Sequence, residues 1–196
     1  MALDPQQLTL PREFSTQRLC FRCYRPGDGA TYHQMLQENW EHLYEFMPQS
    51  HLEIGSAEDA EAVLRRLAAE WSSRTLFIFG VWDNASGAYV GESYLANPHW
   101  EVPRIEVGYF VVQACTGRGY ATEAAQSMVR YAFSELGVER VDLQCRADNA
   151  ASQRVAERCG FTLEGRSRRQ HRMKSGALVD VLWYGLLRDE WESRRQ

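Results

Sequence analysis

The sequence predicts an α+β fold: a mixed, mainly antiparallel central sheet of about six to seven strands flanked by helices. Three observations predict it. Apolar runs of strand length outnumber helical ones and are joined mostly by turn signals such as Asp83-Asn84-Ala85-Ser86-Gly87 and Lys174-Ser175-Gly176. Helical periodicity is strong over residues 57–73 and again over residues 121–136. Only the second of these lies where a strand–helix–strand crossover is needed, so one parallel pair interrupts an otherwise antiparallel order β, α, α, β, β, β, α, β, α, β, β. No internal repeat, low-complexity tract or linker divides the chain, and residues 1–196 are expected to form a single domain.

In order, residues 1–15 read as an irregular or strand-like leader. Residues 18–24, RLCFRCY, alternate as a strand and stop at Pro26-Gly27-Asp28-Gly29, where Asp28 is placed to cap a helix over residues 30–40. The aromatic segment 40–46 is expected to form a second short helix ended by Pro48, serving either the core or the wall of an acceptor pocket. Ser56 and Asp59 open the next helix in the manner of a capping box, with Ala60, Val63, Leu64, Leu67, Ala68 and Trp71 on its inner face. Strands follow at 76–82 and 89–96, then a loop over 97–103 and a strand over 104–112. A strand at 140–146 precedes a helix over 150–159, opened by Asp148-Asn149, facing inward through Ala151, Val155 and Cys159, and ended by Gly160. Two long strands at 161–172 and 178–187 and a charged tail complete the chain.

The central feature is VVQACTGRGYATEAA, residues 111–125. A strand end, a turn with glycine at 117 and 119 and a helix start aim backbone N–H groups and the positive end of a helix dipole at one spot. That arrangement calls for an anion, and a phosphate above all. Gly117 and Gly119 let the backbone approach it closely.

Composition narrows the partners. With 44% hydrophobic and 24% charged residues and a net charge of −4, no global field draws the chain to nucleic acid or an anionic membrane. No apolar run reaches membrane-span length and the first residues lack a signal-peptide pattern, so a cytoplasmic location is expected. Five scattered cysteines argue against a disulfide framework, and Cys20-x-x-Cys23 lies in a strand with no second ligand pair. The histidines at 33, 42, 51, 99 and 171 show no ligand spacing, so no metal is inferred. Cys115, in the turn, is expected to be exposed and oxidisable, though nothing marks it as a nucleophile. The basic stretch Arg166, Arg168, Arg169, His171, Arg172 and Lys174 reads as a solvated face, with recognition of an acidic acceptor peptide or of the cofactor's ribose phosphate as its alternative. Edge strands near the C-terminus leave a homodimer open.

Four stretches together resemble the GNAT superfamily of acyl-CoA-dependent N-acetyltransferases, and within it the RimJ/RimL type that acetylates ribosomal proteins. They are residues 15–28 (STQRLCFRCYRPGD), 106–109 (EVGY), 117–124 (GRGYATEA) and 149–161 (NAASQRVAERCGF). The resemblance implies a sheet splayed at its central strand, acetyl-CoA as co-substrate and an amine acceptor, either a protein N-terminus or a small amine. It places the CoA pyrophosphate on Thr116, Gly117, Arg118, Gly119, Tyr120, Ala121 and Thr122, where Thr116 departs from the family's glutamine or arginine. It lays the pantetheine arm along Phe110, Val111 and Val112 in the manner of an added strand. Asn149 and Ser152 match the family's Asn-x-x-Ser, implying contact with pantetheine and a place near the thioester sulfur. Many relatives carry a tyrosine where this chain has Ala156, so the proton donor to the departing thiolate is expected to be Ser152 or a water it orients.

Acetyl transfer to an amine requires positioning, an oxyanion donor and removal of a proton from an ammonium. A backbone N–H at Val111 or Val112 suits the oxyanion. Glu106, the acidic side chain of the central strand, is the expected base, acting directly or through water, with Glu92 on the neighbouring strand as the alternative. Two other classes compete: a non-catalytic acyl-CoA sensor and a dinucleotide-binding domain. The latter fits poorly, because its third glycine position is Thr122 and Asp142 lies inside a strand.

Overall fold

The computed structural model of the chain describes residues 4–47, 51 and 53–194. Its strands are Glu13–Ser15 (β1), Leu19–Arg22 (β2), Leu76–Asp83 (β3), Tyr89–His99 (β4), Arg104–Val111 (β5), Arg140–Arg146 (β6), Thr162–Arg172 (β7) and Leu178–Leu187 (β8). Its helices are Gly29–Glu38 (α1), Trp40–Leu43 (α2), Ala57–Ser72 (α3), Tyr120–Tyr131 (α4), Ala150–Cys159 (α5) and Arg188–Ser193 (α6). All eight strands join one sheet in the order β1-β2-β3-β4-β5-β6-β8-β7, antiparallel throughout except at β5–β6, the pair bridged by α4. The strand beyond the expected six to seven is β1, three residues of the leader that pair with β2.

Local chemistry explains most boundaries. Ser56 Oγ accepts the Asp59 amide at 3.1 Å and donates to the Asp59 carboxylate at 2.9 Å, opening α3 as its capping signature predicts. Ala60, Val63, Leu64, Leu67 and Trp71 are buried, whereas Ala68 faces outward. In α4 the buried stripe carries Ala124, Ala125 and Met128 into a single wide π turn, Ala132–Leu136, which buries Phe133 and Leu136 before Gly137 ends it. In α5 the inner positions are Val155 and Ala156; Ala151 is exposed.

Two expectations are corrected. Asp28 does not cap α1: its carboxylate takes the Arg22 guanidinium at 2.6 and 2.9 Å and the Arg25 amide at 2.7 Å, a bidentate ion pair that outcompetes a single cap bond. Residues 97–99 are not loop, because β4 runs on to His99 past an irregularity after Ala96, where Asn97 adopts φ +53°. The short helix α2 passes into a turn ending at Met47; Pro48, expected to end it, lies outside the described residues.

Helix α1 packs on α3 and α3 on β3, while α4 packs on β4, β5 and α5. The core these layers enclose includes Leu19, Phe21, Phe77, Phe79, Ile105 and Met128, all fully buried. Each such side chain contributes about 1.5–3 kcal/mol of transfer free energy. Among the described residues no helix is long and apolar enough to cross a membrane.

Candidate active site

The site begins where the sheet opens. On one edge β5 pairs with β4 from Ala96↔Glu106 through to Gly91↔Val111. On the other it pairs with β6 only at Arg104↔Arg140, Ile105↔Val141 and Glu106↔Asp142. Strand β6 instead continues beside β8 as far as Arg146↔Val181, so the two central strands part after Glu106. Residues 107–111 therefore present a backbone edge to a gap. The Val112 amide donates to the Val90 carbonyl at 2.9 Å. Antiparallel alternation then turns the Phe110 N–H toward β4, and the N–H groups of Tyr109 and Val111 toward the gap. Of the two N–H groups considered for an oxyanion, Val112's is engaged in the ladder and Val111's faces the opening. His42 Nε2 lies 3.2 Å from the Val111 carbonyl.

This gap belongs to a cleft of about 740 Å³ that reaches from Thr116 and Ala121 past Tyr109 and Ser152 to Glu92 and Glu106. At the Thr116 end of the cleft, Gly117 and Gly119 have φ of +72° and +80°, left-handed conformations that a side chain strains, and Gly119 is the N-cap of α4 with no side-chain cap bond. A Cβ at Gly117 would meet nothing within 4 Å, so backbone conformation sets the need for glycine there. Thr116 Oγ donates to the Gln113 carbonyl at 2.8 Å, tying the turn to the preceding 3₁₀ segment. Ala121 and Thr122 fall in the first turn of α4, and Arg118 lies over the Tyr120 ring at 5.1 Å. Cys115 is buried, 9% exposed, which corrects the expectation of an exposed, oxidisable thiol; burial also raises its pKa and disfavours the thiolate.

Across the gap, Asn149 Oδ1 accepts the Ser152 amide at 3.1 Å, so the asparagine caps α5. The Ser152 hydroxyl lies 3.1 Å from the Tyr109 hydroxyl, a side-chain contact rather than the backbone contact usual for a first-turn serine. Burial pushes the Tyr109 phenol well above its ordinary value, so it is a neutral hydrogen-bonding partner. Ala156, at the position where many relatives carry tyrosine, is 0% exposed and packs in the core. Tyr109 is thus the phenol at this end of the cleft. Residue reasoning did not single it out, although it ends the EVGY stretch.

The two carboxylates differ. Glu106 is held by two amides, accepting from Gln144 Nε2 at 2.7 Å and from Asn97 Nδ2 at 3.0 Å. Glu92 is 5% exposed and accepts from the Tyr24 hydroxyl at 2.8 Å; Tyr24 in turn shares a 2.7 Å hydrogen bond with Tyr89. Burial raises the Glu92 pKa to about 7, against the opposing effect of the phenol hydrogen bond.

The aromatic segment has buried and exposed members, and of its aromatic rings Phe46 lines the cleft. Leu43 is buried in the core, while Trp40, Tyr44 and Phe46 are exposed. The segment is clasped by the turn between β7 and β8: Lys174 Nζ donates to the carbonyls of Tyr44 and Met47, and its amide donates to Glu45 at 3.0 Å. Arg146 stands over the Phe46 ring at 5.0 Å. Elsewhere on the basic stretch, on the exposed edge strand β7, the Arg166 guanidinium and the Arg169 backbone amide donate to Asp180 of β8. All five cysteines are free, and among the described residues no three His, Cys, Asp or Glu side chains are grouped as metal ligands.

Comparisons with known proteins give the family and the fold. YdaF of Bacillus subtilis (strain 168), whose name assigns it provisionally to the ribosomal N-acetyltransferases, is 24% identical over 181 residues, covering 91% of this chain and 96% of that protein. The ribosomal-protein-serine acetyltransferase of Escherichia coli (strain K12) is 32% identical over 84 residues, 43% of this chain and 46% of that one. Among solved structures, RimL, a ribosomal L7/L12 α-N-protein acetyltransferase in complex with coenzyme A, shares the fold at a TM-score of 0.81 and 19% identity, covering 92% of this chain and 98% of that one. Residues 18–162 match the acetyltransferase (GNAT) domain model, and the chain belongs to that family of N-acetyltransferases.

Proposed function

We propose that the chain transfers the acetyl group of acetyl-CoA directly to a primary amine, with a protein N-terminal α-amine as the leading acceptor. The observation that carries this reading is the open β5–β6 seam ending in the uncapped glycine turn. It offers an unpaired backbone edge for an amide-bearing pantetheine arm and a row of N–H groups for a diphosphate. The pyrophosphate is held by residues 116–122, the arm by the open backbone edge at Tyr109 and Val111 with Phe110 lining the cleft beside it, and the sulfur end lies beside Asn149 and Ser152. Val112 supports the edge from within the ladder.

In this reading the amine attacks the thioester carbonyl, and the Val111 N–H donates to the oxyanion. The base is Glu92, the alternative of the sequence reading. A carboxyl near pKa 7 is half ionised at neutral pH and strong enough to take the amine's proton. Glu106, fixed by two amides, orients the acceptor or a bridging water. Ser152, backed by the Tyr109 hydroxyl, delivers a proton to the thiolate or orients a water that does. The protein acceptor rests on the names of the similar proteins, and a cytoplasmic location is part of the same reading. The test is thiol release from acetyl-CoA across a panel of small amines, amino acids and N-terminal peptides of ribosomal proteins. Turnover with peptides bearing a free α-amine, abolished by blocking that amine, is the expected result. Tight CoA binding without thiol release for any amine would instead make the chain an acyl-CoA sensor.

A further inference from the structure

A carboxylate sits in the first turn of the helix that is to hold a diphosphate. Glu123, 19% exposed at its side chain, lies four residues after Gly119, where its charge opposes an incoming polyanion. It is not left bare. Thr16 Oγ1 donates to Glu123 Oε1 at 2.6 Å, and Arg18 Nε donates to Oε2 at 2.6 Å. The same guanidinium reaches further: Nη1 donates to the carbonyl of Arg118 at 3.0 Å, and its plane lies over Tyr120 at 4.7 Å. Tyr120 is itself anchored, its hydroxyl donating to Asp83 at 2.8 Å.

The bond to the Arg118 carbonyl has a geometric result. In a planar trans peptide the C=O of residue 118 and the N–H of Gly119 point in opposite directions. Fixing the oxygen on Arg18 therefore aims the Gly119 N–H away from Arg18. On its Gly119 side this peptide has a positive φ and no Cβ to resist rotation, so without the Arg18 bond it could turn over at low cost.

We infer that Arg18, with Thr16, is a positioning residue for the donor site: it neutralises Glu123 beside the phosphates and fixes the 118–119 peptide so that its N–H faces them. The inference rests on the reading of acetyl-CoA as donor and adds to it a residue 100 positions before Arg118 of the turn. Arg18 stands within the STQRL stretch and Glu123 within GRGYATE, so the latch joins two separate segments of the chain.

The experiment is calorimetric titration of CoA and of 3′-dephospho-CoA, which share the diphosphate, into the wild type, Arg18→Ala, Glu123→Gln and the double variant, with thermal melts alongside. Arg18→Ala is expected to weaken both ligands by about tenfold, the range of one lost charge-assisted contact. Adding Glu123→Gln to it is expected to recover about threefold or more, since the uncompensated charge is gone. Unchanged affinity in Arg18→Ala overturns the inference. So does a loss confined to CoA, which would make Arg18 a direct ligand of the 3′-phosphate, and so does a loss that Glu123→Gln leaves untouched, which would make its role merely structural. If the wild type binds neither ligand, the donor reading fails first and the inference falls with it.

Discussion

The two edges of β5 carry the same residues and do different work. Toward β4 the strand is paired without a break from Glu106 to Val111, and the side chain that this edge brings into the cleft, Glu92, is buried against tyrosines. Toward β6 it is paired for three residues and then open, and the groups beyond the gap, Asn149 and Ser152, stand at the start of a helix. A closed edge excludes water and so shifts a carboxyl's pKa; an open one exposes backbone donors and so accepts a ligand strand. On the proposed function one strand separates proton chemistry from donor binding, and substitutions on its two sides should be distinguishable by what they change.

The largest effect is expected on the closed side. Glu92→Gln should lower kcat/KM by about 10²–10⁴-fold, the range of a lost general base, while leaving CoA affinity near the wild-type value. Its stability effect has a definite sign. A carboxyl whose folded pKa is raised from 4.5 to about 7 stabilises the fold below its unfolded pKa and loses that contribution as pH rises through 7. Glu92→Gln should therefore melt above the wild type at pH 8 and close to it at pH 5, as thermal scans at the two pH values will show.

On the open side, Gly119→Val places a β-branched residue at φ +80° and should cost about 1–3 kcal/mol of strain in the phosphate turn. Titration should show CoA binding weakened by roughly ten- to a hundredfold, with the acidic limb of the pH–rate profile unmoved. Ser152→Ala should reduce kcat by about tenfold at saturating acetyl-CoA, as expected for one lost hydrogen-bonding group. Full turnover in that variant would withdraw its role at the thiolate and leave Tyr109 as the hydroxyl to examine. The smallest effect is assigned to Glu106→Gln, about two- to fivefold on the acceptor's KM with the profile shape kept, because an amide can still meet one of its two amide partners.

What was legible in the sequence follows from how local each signal is. The strand, glycine turn and helix around Gly117 and Gly119 were readable because glycine spacing, strand alternation and helical periodicity meet within fifteen residues. Strand β1 was not distinguished from the irregular leader, since three residues carry too little alternation and depend on β2 for partners. Asp28 misled because a capping preference is worth about a kilocalorie, and a bidentate arginine six residues away outbids it. The environment of Glu92 could not be read at all: Tyr24, 68 positions away in the chain, donates to it and is itself bonded to Tyr89. Tyr109 and Ser152 meet across 43 positions, through a register that only the folded sheet defines.

The central claim is that the closed edge holds the base. Its direct test is the pH dependence of kcat/KM for the wild type, Glu92→Gln and Glu106→Gln with one acceptor. The account predicts that wild-type activity rises through a limb near pH 7, that Glu106→Gln keeps this limb, and that Glu92→Gln loses it along with most of the rate. A limb that survives in Glu92→Gln and vanishes in Glu106→Gln would contradict it.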